Sequence, residues 1–92
     1  MKTLVICRPK PGVTAPDIAG HRAAEMAALR QLKAEGTLVE AYSPGGPGAV
    51  LMFEADREAV ETVVSVLPLV MAKLTDAEII ALQPLPGLAS PF

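Results

Sequence analysis

The sequence predicts an α+β sandwich in which two helices cover one face of a four-stranded sheet, and three observations predict it. Short apolar, β-branched runs alternate with longer stretches of helix formers in the order strand, helix, strand, strand, helix, strand. Clusters of proline and glycine separate the runs, at Pro9 to Gly12, at Gly36, at Pro44 to Gly48 and at Pro68. The strand runs also show little polar alternation, so the sheet is apolar on both sides. The chain has 92 residues, enough for one domain, residues 1–92, that buries roughly 60–65% of the surface of its unfolded chain.

The elements follow in order. Thr3 to Cys7 is an apolar run closed by Arg8-Pro9-Lys10-Pro11-Gly12, where the prolines oppose further pairing. Thr14 or Asp17 caps a long helix that runs through Ala-, Leu-, Met- and Glu-rich sequence to Glu35 and stops at Gly36. Thr37 to Ser43 alternates Leu38, Glu40 and Tyr42 against Val39 and Ala41, and Ala49 to Glu54 returns, with Pro44-Gly45-Gly46-Pro47-Gly48 as the hairpin loop. Asp56 caps a second helix whose Val60, Val63, Val64 and Leu67 follow the i, i+3, i+4, i+7 rule, and Pro68 ends it. Leu69 to Leu74 adds a helical turn, and Ala77 to Leu82 is the last strand. The tail, residues 83–92, carries Pro84, Pro86 and Pro91 and is expected to be extended.

Right-handed crossovers fold this order into a ferredoxin-like βαββαβ sandwich with an antiparallel sheet. Helices cover one face only, yet Leu4, Val5 and Ile6, then Val50 to Phe53, then Ile79 and Ile80 leave apolar side chains for both. A second copy packed sheet against sheet is the economical cover, so a homodimer is expected. A net charge of −2 without a basic block argues against nucleic acid. The apolar run near the N-terminus is too short for a signal peptide or a membrane span, and the single cysteine, Cys7, fits a reducing cytoplasm.

Three stretches carry a family resemblance: Leu32-Lys33-Ala34-Glu35-Gly36 closing the first helix, Leu67-Pro68-Leu69 closing the second, and Gln83-Pro84-Leu85 leaving the last strand. Together they resemble the muconolactone isomerase family. The resemblance implies a dimeric α+β barrel, a superfamily that also holds YciI-like proteins and cofactor-free antibiotic-biosynthesis monooxygenases. It spans nearly the whole chain, and its motifs are structural punctuation more than chemistry. The sequence departs from the isomerase pattern at Val70 to Asp76, several residues longer than expected. A tail ending in Pro84-Leu85-Pro86-Gly87 suggests a separate branch.

The first helix holds an anomaly. At 100° per residue, Ile18, Met26, Leu29 and Leu32 form an apolar arc, and Glu25 and Arg22 fall inside it with His21 at its edge. Turned toward the sheet, Glu25 is a proton-transfer candidate beside two basic groups. The competing reading pairs Arg22 with Glu25 at i, i+3, or His21 with Glu25 at i, i+4, on the surface, while Ala23, Ala27 and Ala34 pack inward. The resemblance implies a basic and an acidic residue on the matching turn, as Arg22 and Glu25 stand here. Glu40 and Tyr42 share a strand face and offer a carboxylate and a phenol; Glu78 lies on the last strand. Both glutamates read equally as solvated edge charges. Arg8 at a strand end is either a bidentate clamp for a substrate carboxylate or a solvated terminus. Cys7 reads as a small buried hydrophobe. His21 is the only histidine, which excludes a two-histidine metal site, and the loop glycines match no phosphate-binding motif because they join two strands.

The resemblance implies a cofactor-free isomerase or lactone-processing enzyme that moves a proton on a small metabolite. Glu25, Glu40 and Tyr42 are its candidate catalytic groups, and Arg22, His21, Arg8 and Glu78 its substrate contacts. No metal or other cofactor is expected, nor any nucleic-acid or membrane partner. The alternatives are a cofactor-independent monooxygenase acting on a small aromatic, and a non-catalytic small-molecule-binding or interaction module. Buried glutamate beside a cavity marks the enzyme, and a buried alanine face marks the module.

Overall fold

The computed structural model describes residues 1–88; Ala89 to Phe92, the end of the expected tail, lie outside the described residues. The elements are β1 (Lys2–Pro9), α1 (Ala15–Ala19), α2 (Arg22–Ala34), β2 (Leu38–Tyr42), β3 (Ala49–Phe53), α3 (Arg57–Ser65), α4 (Pro68–Met71) and β4 (Thr75–Leu82). The strands form one antiparallel sheet in the order β2-β3-β1-β4, as a ferredoxin-like chain should.

Central β1 alternates strictly. Thr3, Val5 and Cys7 are buried against the helices, while Leu4 and Ile6 look out of the opposite face and are only half-buried. Partners across antiparallel strands share a face, so Leu4 stands with Met52 and Ile80, and Ile6 with Val50 and Glu78. The core lies on the helix side, where Val5, Leu51 and Phe53 meet Val60 and Val64 of α3 and Leu67. The hydroxyl of Thr3, also buried, donates to the Ala55 carbonyl at 2.7 Å, which satisfies the one polar group deep in that layer near β3.

Four local expectations need correction. The first helix is two helices, because Gly20 and His21 interrupt it and the His21 N–H bonds to Ile18 in a tighter turn. Thr14 is the cap of α1, and Asp17 reciprocates as the far side of a capping box, at 2.9 Å from the Thr14 N–H. β1 runs on to Pro9, which pairs with Thr75 of a β4 that starts two residues earlier than expected. Proline is tolerated there because β3 accompanies β1 only as far as Cys7. The Lys10 N–H faces β4, donating to the Leu74 carbonyl at 2.9 Å, so the missing donor at Pro9 points to the side where pairing has ended. Pro68 opens α4 as much as it closes α3: it forces Leu67 into extended backbone and then occupies the first helical position.

The fourth correction concerns β2. A bulge at Val39 sets Leu38 opposite Phe53 but Glu40 opposite Met52. Leu38 therefore joins the core, whereas Glu40 and Tyr42 turn to the other face. The Val39 carbonyl freed by the bulge accepts from the Lys33 ammonium at 3.0 Å.

The helices α2 and α4 end in the same Schellman motif. Thr37 and Gly36 donate to Leu32 and Lys33; Leu74 and Lys73 donate to Leu69 and Val70. The left-handed position is glycine in the first case, Gly36 at φ 82°, and lysine in the second, Lys73 at φ 61°. Lys73→Gly is therefore expected to stabilise the fold by about 1 kcal/mol, seen as a higher urea midpoint at unchanged slope. A lower midpoint would mean that the exposed lysine side chain stabilises more than its backbone strain costs.

Candidate active site

A cavity of about 560 Å³ opens on the helix side at the end of the sheet where β1 finishes. Its walls are Cys7 and Pro9 from β1, Ile18 from α1, and Arg22, Glu25, Met26 and Leu29 from α2. The loop between β2 and β3 adds Gly46, Pro47 and Gly48, α4 adds Leu69, and β4 adds Thr75. Its size suits one small organic molecule, and apolar walls with a few convergent polar groups are the usual make-up of such sites. A shallower hollow of about 350 Å³ between α3, α4 and β4 is lined by Lys10, Glu61 and Lys73 among others. There Lys10 is already bonded to Asp76 at 2.9 Å, and the hollow lies open to solvent.

Glu25 is half-buried, and its Oε1 accepts the Leu69 N–H at 3.0 Å. Leu67, the cap residue of α4, has no side-chain acceptor, so Glu25 serves the first turn of α4 from a helix 44 residues away in sequence. One carboxylate oxygen is thereby pinned and the other is left for the cavity. Arg22 lines the same cavity one turn earlier and forms no ion pair among the described residues. Neither surface pairing weighed from the sequence forms, Arg22 with Glu25 or His21 with Glu25. Ala23, Ala27 and Ala34 are exposed, so the inward face of α2 is the one carrying Glu25, Leu29 and Leu32.

The other sequence candidates stand elsewhere. His21 is the half-buried cap residue of α2, makes no side-chain capping bond, and does not line the cavity. Glu40 and Tyr42 lie on the opposite sheet face, beside Met52 and Val50, with Tyr42 57% exposed. Arg8 and Glu78 meet on that face at 3.0 Å, a diagonal pair across β1 and β4. No local sequence signal places Leu69, Thr75 or the loop glycines at the cavity, because they reach it only through long-range folding.

The Cys7 thiol is pushed up to about 11, first by burial and then by the negative charge of Glu25. It is a neutral wall of the cavity and not an activated nucleophile. Between the ordinary thiol value of 9.0 and about 11, the unfolded chain has released this proton and the folded chain has kept it. Stability should therefore fall as pH rises through that window, by on the order of 2 kcal/mol. Chemical denaturation against pH should show this slope in the wild type and lose it in Cys7→Ala. Glu25→Gln should bring the thiol down, by ultraviolet thiolate absorbance, yet leave it above 9.0, because burial is the larger cause.

No family model matches the chain, and no curated protein matches its sequence. Solved structures do match. Muconolactone isomerase superimposes with a TM-score of 0.73 at 21% identity, over 95% of this chain and 93% of that one. The 5-chloro-2-hydroxyhydroquinone dehydrochlorinase TftG of Burkholderia phenoliruptrix AC1100, in complex with 2,5-dihydroxybenzoquinone, superimposes with a TM-score of 0.71 at 23% identity. That match covers 90% of this chain and 94% of the dehydrochlorinase. The chain thus has the ferredoxin-like α+β fold of muconolactone isomerase along nearly its whole length.

Proposed function

We propose that this protein is a cofactor-free enzyme that moves a proton on a small unsaturated ring, with a muconolactone-type lactone as the leading substrate. The observation that carries the proposal is Glu25, half-buried beside the cavity with one oxygen pinned by the Leu69 N–H and Arg22 unpaired nearby. Glu25 removes a proton from the saturated ring carbon at the far end of the conjugated double bond, and the electron pair moves through that double bond into a dienolate on the lactone carbonyl. Arg22 stabilises the charge on the enolate oxygen or holds a substrate carboxylate. Glu25 then returns the proton to another carbon of the conjugated system, so the double bond migrates without gain or loss of electrons. Loss of hydrogen chloride from a chlorinated ring also begins with a base taking a proton, so the dehydrochlorinase with this fold fits the same use of the cavity.

The exposed alanine face speaks against a purely structural role for α2. Neither Tyr42 nor Phe53 lines the cavity, which disfavours a site built to stack a large aromatic substrate. Glu40, Tyr42, Arg8 and Glu78 belong in this proposal to the surface between two copies. Their face carries Leu4, Ile6, Val50, Met52 and Ile80 at its centre, with the ion pairs Lys2–Glu54 at 3.3 Å and Arg8–Glu78 at 3.0 Å at its ends. An apolar centre with a charged rim suits a sheet-to-sheet homodimer.

Two experiments test this. Muconolactone-type lactones incubated in deuterated buffer should take up solvent deuterium and shift their double bond, and Glu25→Gln should slow this about 10²- to 10⁴-fold. Arg22→Ala should lower kcat/KM about tenfold or more, through kcat where Arg22 acts on the enolate and through KM where it holds the carboxylate, and absence of exchange at high protein concentration would remove the isomerase reading for these lactones. Sedimentation should give twice the chain mass, and Ile6→Glu should give the monomer; a monomeric wild type would contradict the dimer.

A further inference from the structure

The glycine-rich loop between β2 and β3 reads from sequence as a plain turn, yet it forms one wall of the cavity. Ser43, Gly46, Pro47 and Gly48 all line it. Gly48 lies flat on β1: at φ +109°, a Cβ built there would stand 2.5 Å from the Cys7 carbonyl oxygen. No side chain fits without lifting the loop off the strand. At the loop's other end the Ser43 hydroxyl accepts the Gly45 N–H at 3.2 Å, which fixes the start of the turn. Gly46, between these anchors, differs from both glycine neighbours. Its φ is outside the left-handed region, and nothing lies within 4 Å of where its Cβ would be. A left-handed backbone therefore does not demand glycine there, and the space beside this lining residue is open. Glycine at this position leaves that space free.

We propose that the Ser43–Gly48 loop is the size filter of the cavity: Gly48 positions it against β1, and Gly46 sets the clearance that admits a single substituted ring. This rests on the cavity being the substrate site, as proposed above, but its test does not need turnover. Cys7 is the only cysteine and lines the same cavity, so its rate of labelling by methanethiosulfonates of increasing bulk measures access directly. The raised thiol pKa slows all reagents alike, and the ratio of rates reports size.

In the wild type, the methyl reagent should label Cys7 faster than the benzyl reagent. Gly46→Phe should slow the benzyl reagent about tenfold or more relative to the methyl reagent, with Gly46→Val intermediate. Gly45→Asn, in the same loop but off the cavity wall, should keep the wild-type ratio. Gly48→Ala should raise the benzyl rate relative to the methyl rate by displacing the loop. Circular dichroism confirms that each variant is folded. An unchanged ratio in both Gly46 variants, or no labelling of folded wild type by either reagent, would overturn the filter. Neither result depends on whether lactones are isomerised, so the two proposals fail separately.

Discussion

The two-residue period of β1 is the constraint on which the rest of the structure depends. This strand is hydrogen-bonded on both sides, to β3 and to β4, so its register fixes the register of the sheet. Thr3, Val5 and Cys7 must then face the helices, and Lys2, Leu4, Ile6 and Arg8 must face away. That single choice sends Cys7 to the cavity and Arg8 to Glu78 on the opposite side. A slip of one residue would exchange the two sets and bury a guanidinium in the core, at a cost of many kcal/mol.

Given that frame, the hydrogen bond from the Leu69 N–H to Glu25 joins two elements that the sequence keeps far apart. It satisfies a donor at the start of α4 and holds a carboxylate at the cavity wall, so a stabilising contact and a candidate chemical group are one feature. Its negative charge also reaches Cys7 and helps keep that thiol protonated. In the proposed reaction a reactive thiolate would compete with proton transfer by attacking the unsaturated ring. With Cys7 neutral, Glu25 is the one carboxylate among the described residues that line the cavity, with Arg22 as the neighbouring cation.

Much of the fold was legible because its signals are local. β-branched runs, the caps Thr14 and Asp56, and the stops at Gly36 and Pro68 each act within a few residues. The placement of Glu25 was legible for the same reason: Glu25, Leu29 and Leu32 are spaced four and three apart within α2, so the break at Gly20 does not disturb their common face. What depends on pairing was not legible. The period-two pattern put Leu38 with Glu40 and Tyr42, but matching Leu38 to Phe53 requires the bulge at Val39, and only the neighbouring strand dictates it. The loop wall depends on the approach of Gly48 to Cys7, two residues brought together by the β1–β3 register. Arg8 and Glu78 read singly as candidates for a pocket, and the β1–β4 register gives each the other as partner.

The two faces of the sheet offer rival places for a ligand, and one measurement separates them. A saturated five-membered lactone carrying a carboxymethyl group, unable to react, would be titrated into isotopically labelled protein while backbone amide signals are followed by NMR. Binding on the helix side predicts shifts at Cys7, Glu25, Gly46, Gly48 and Leu69, with Glu40, Tyr42 and Glu78 unmoved. Shifts confined to Glu40, Tyr42 and Glu78 would put the ligand on the other face and contradict the assignment of Glu25 as the working base.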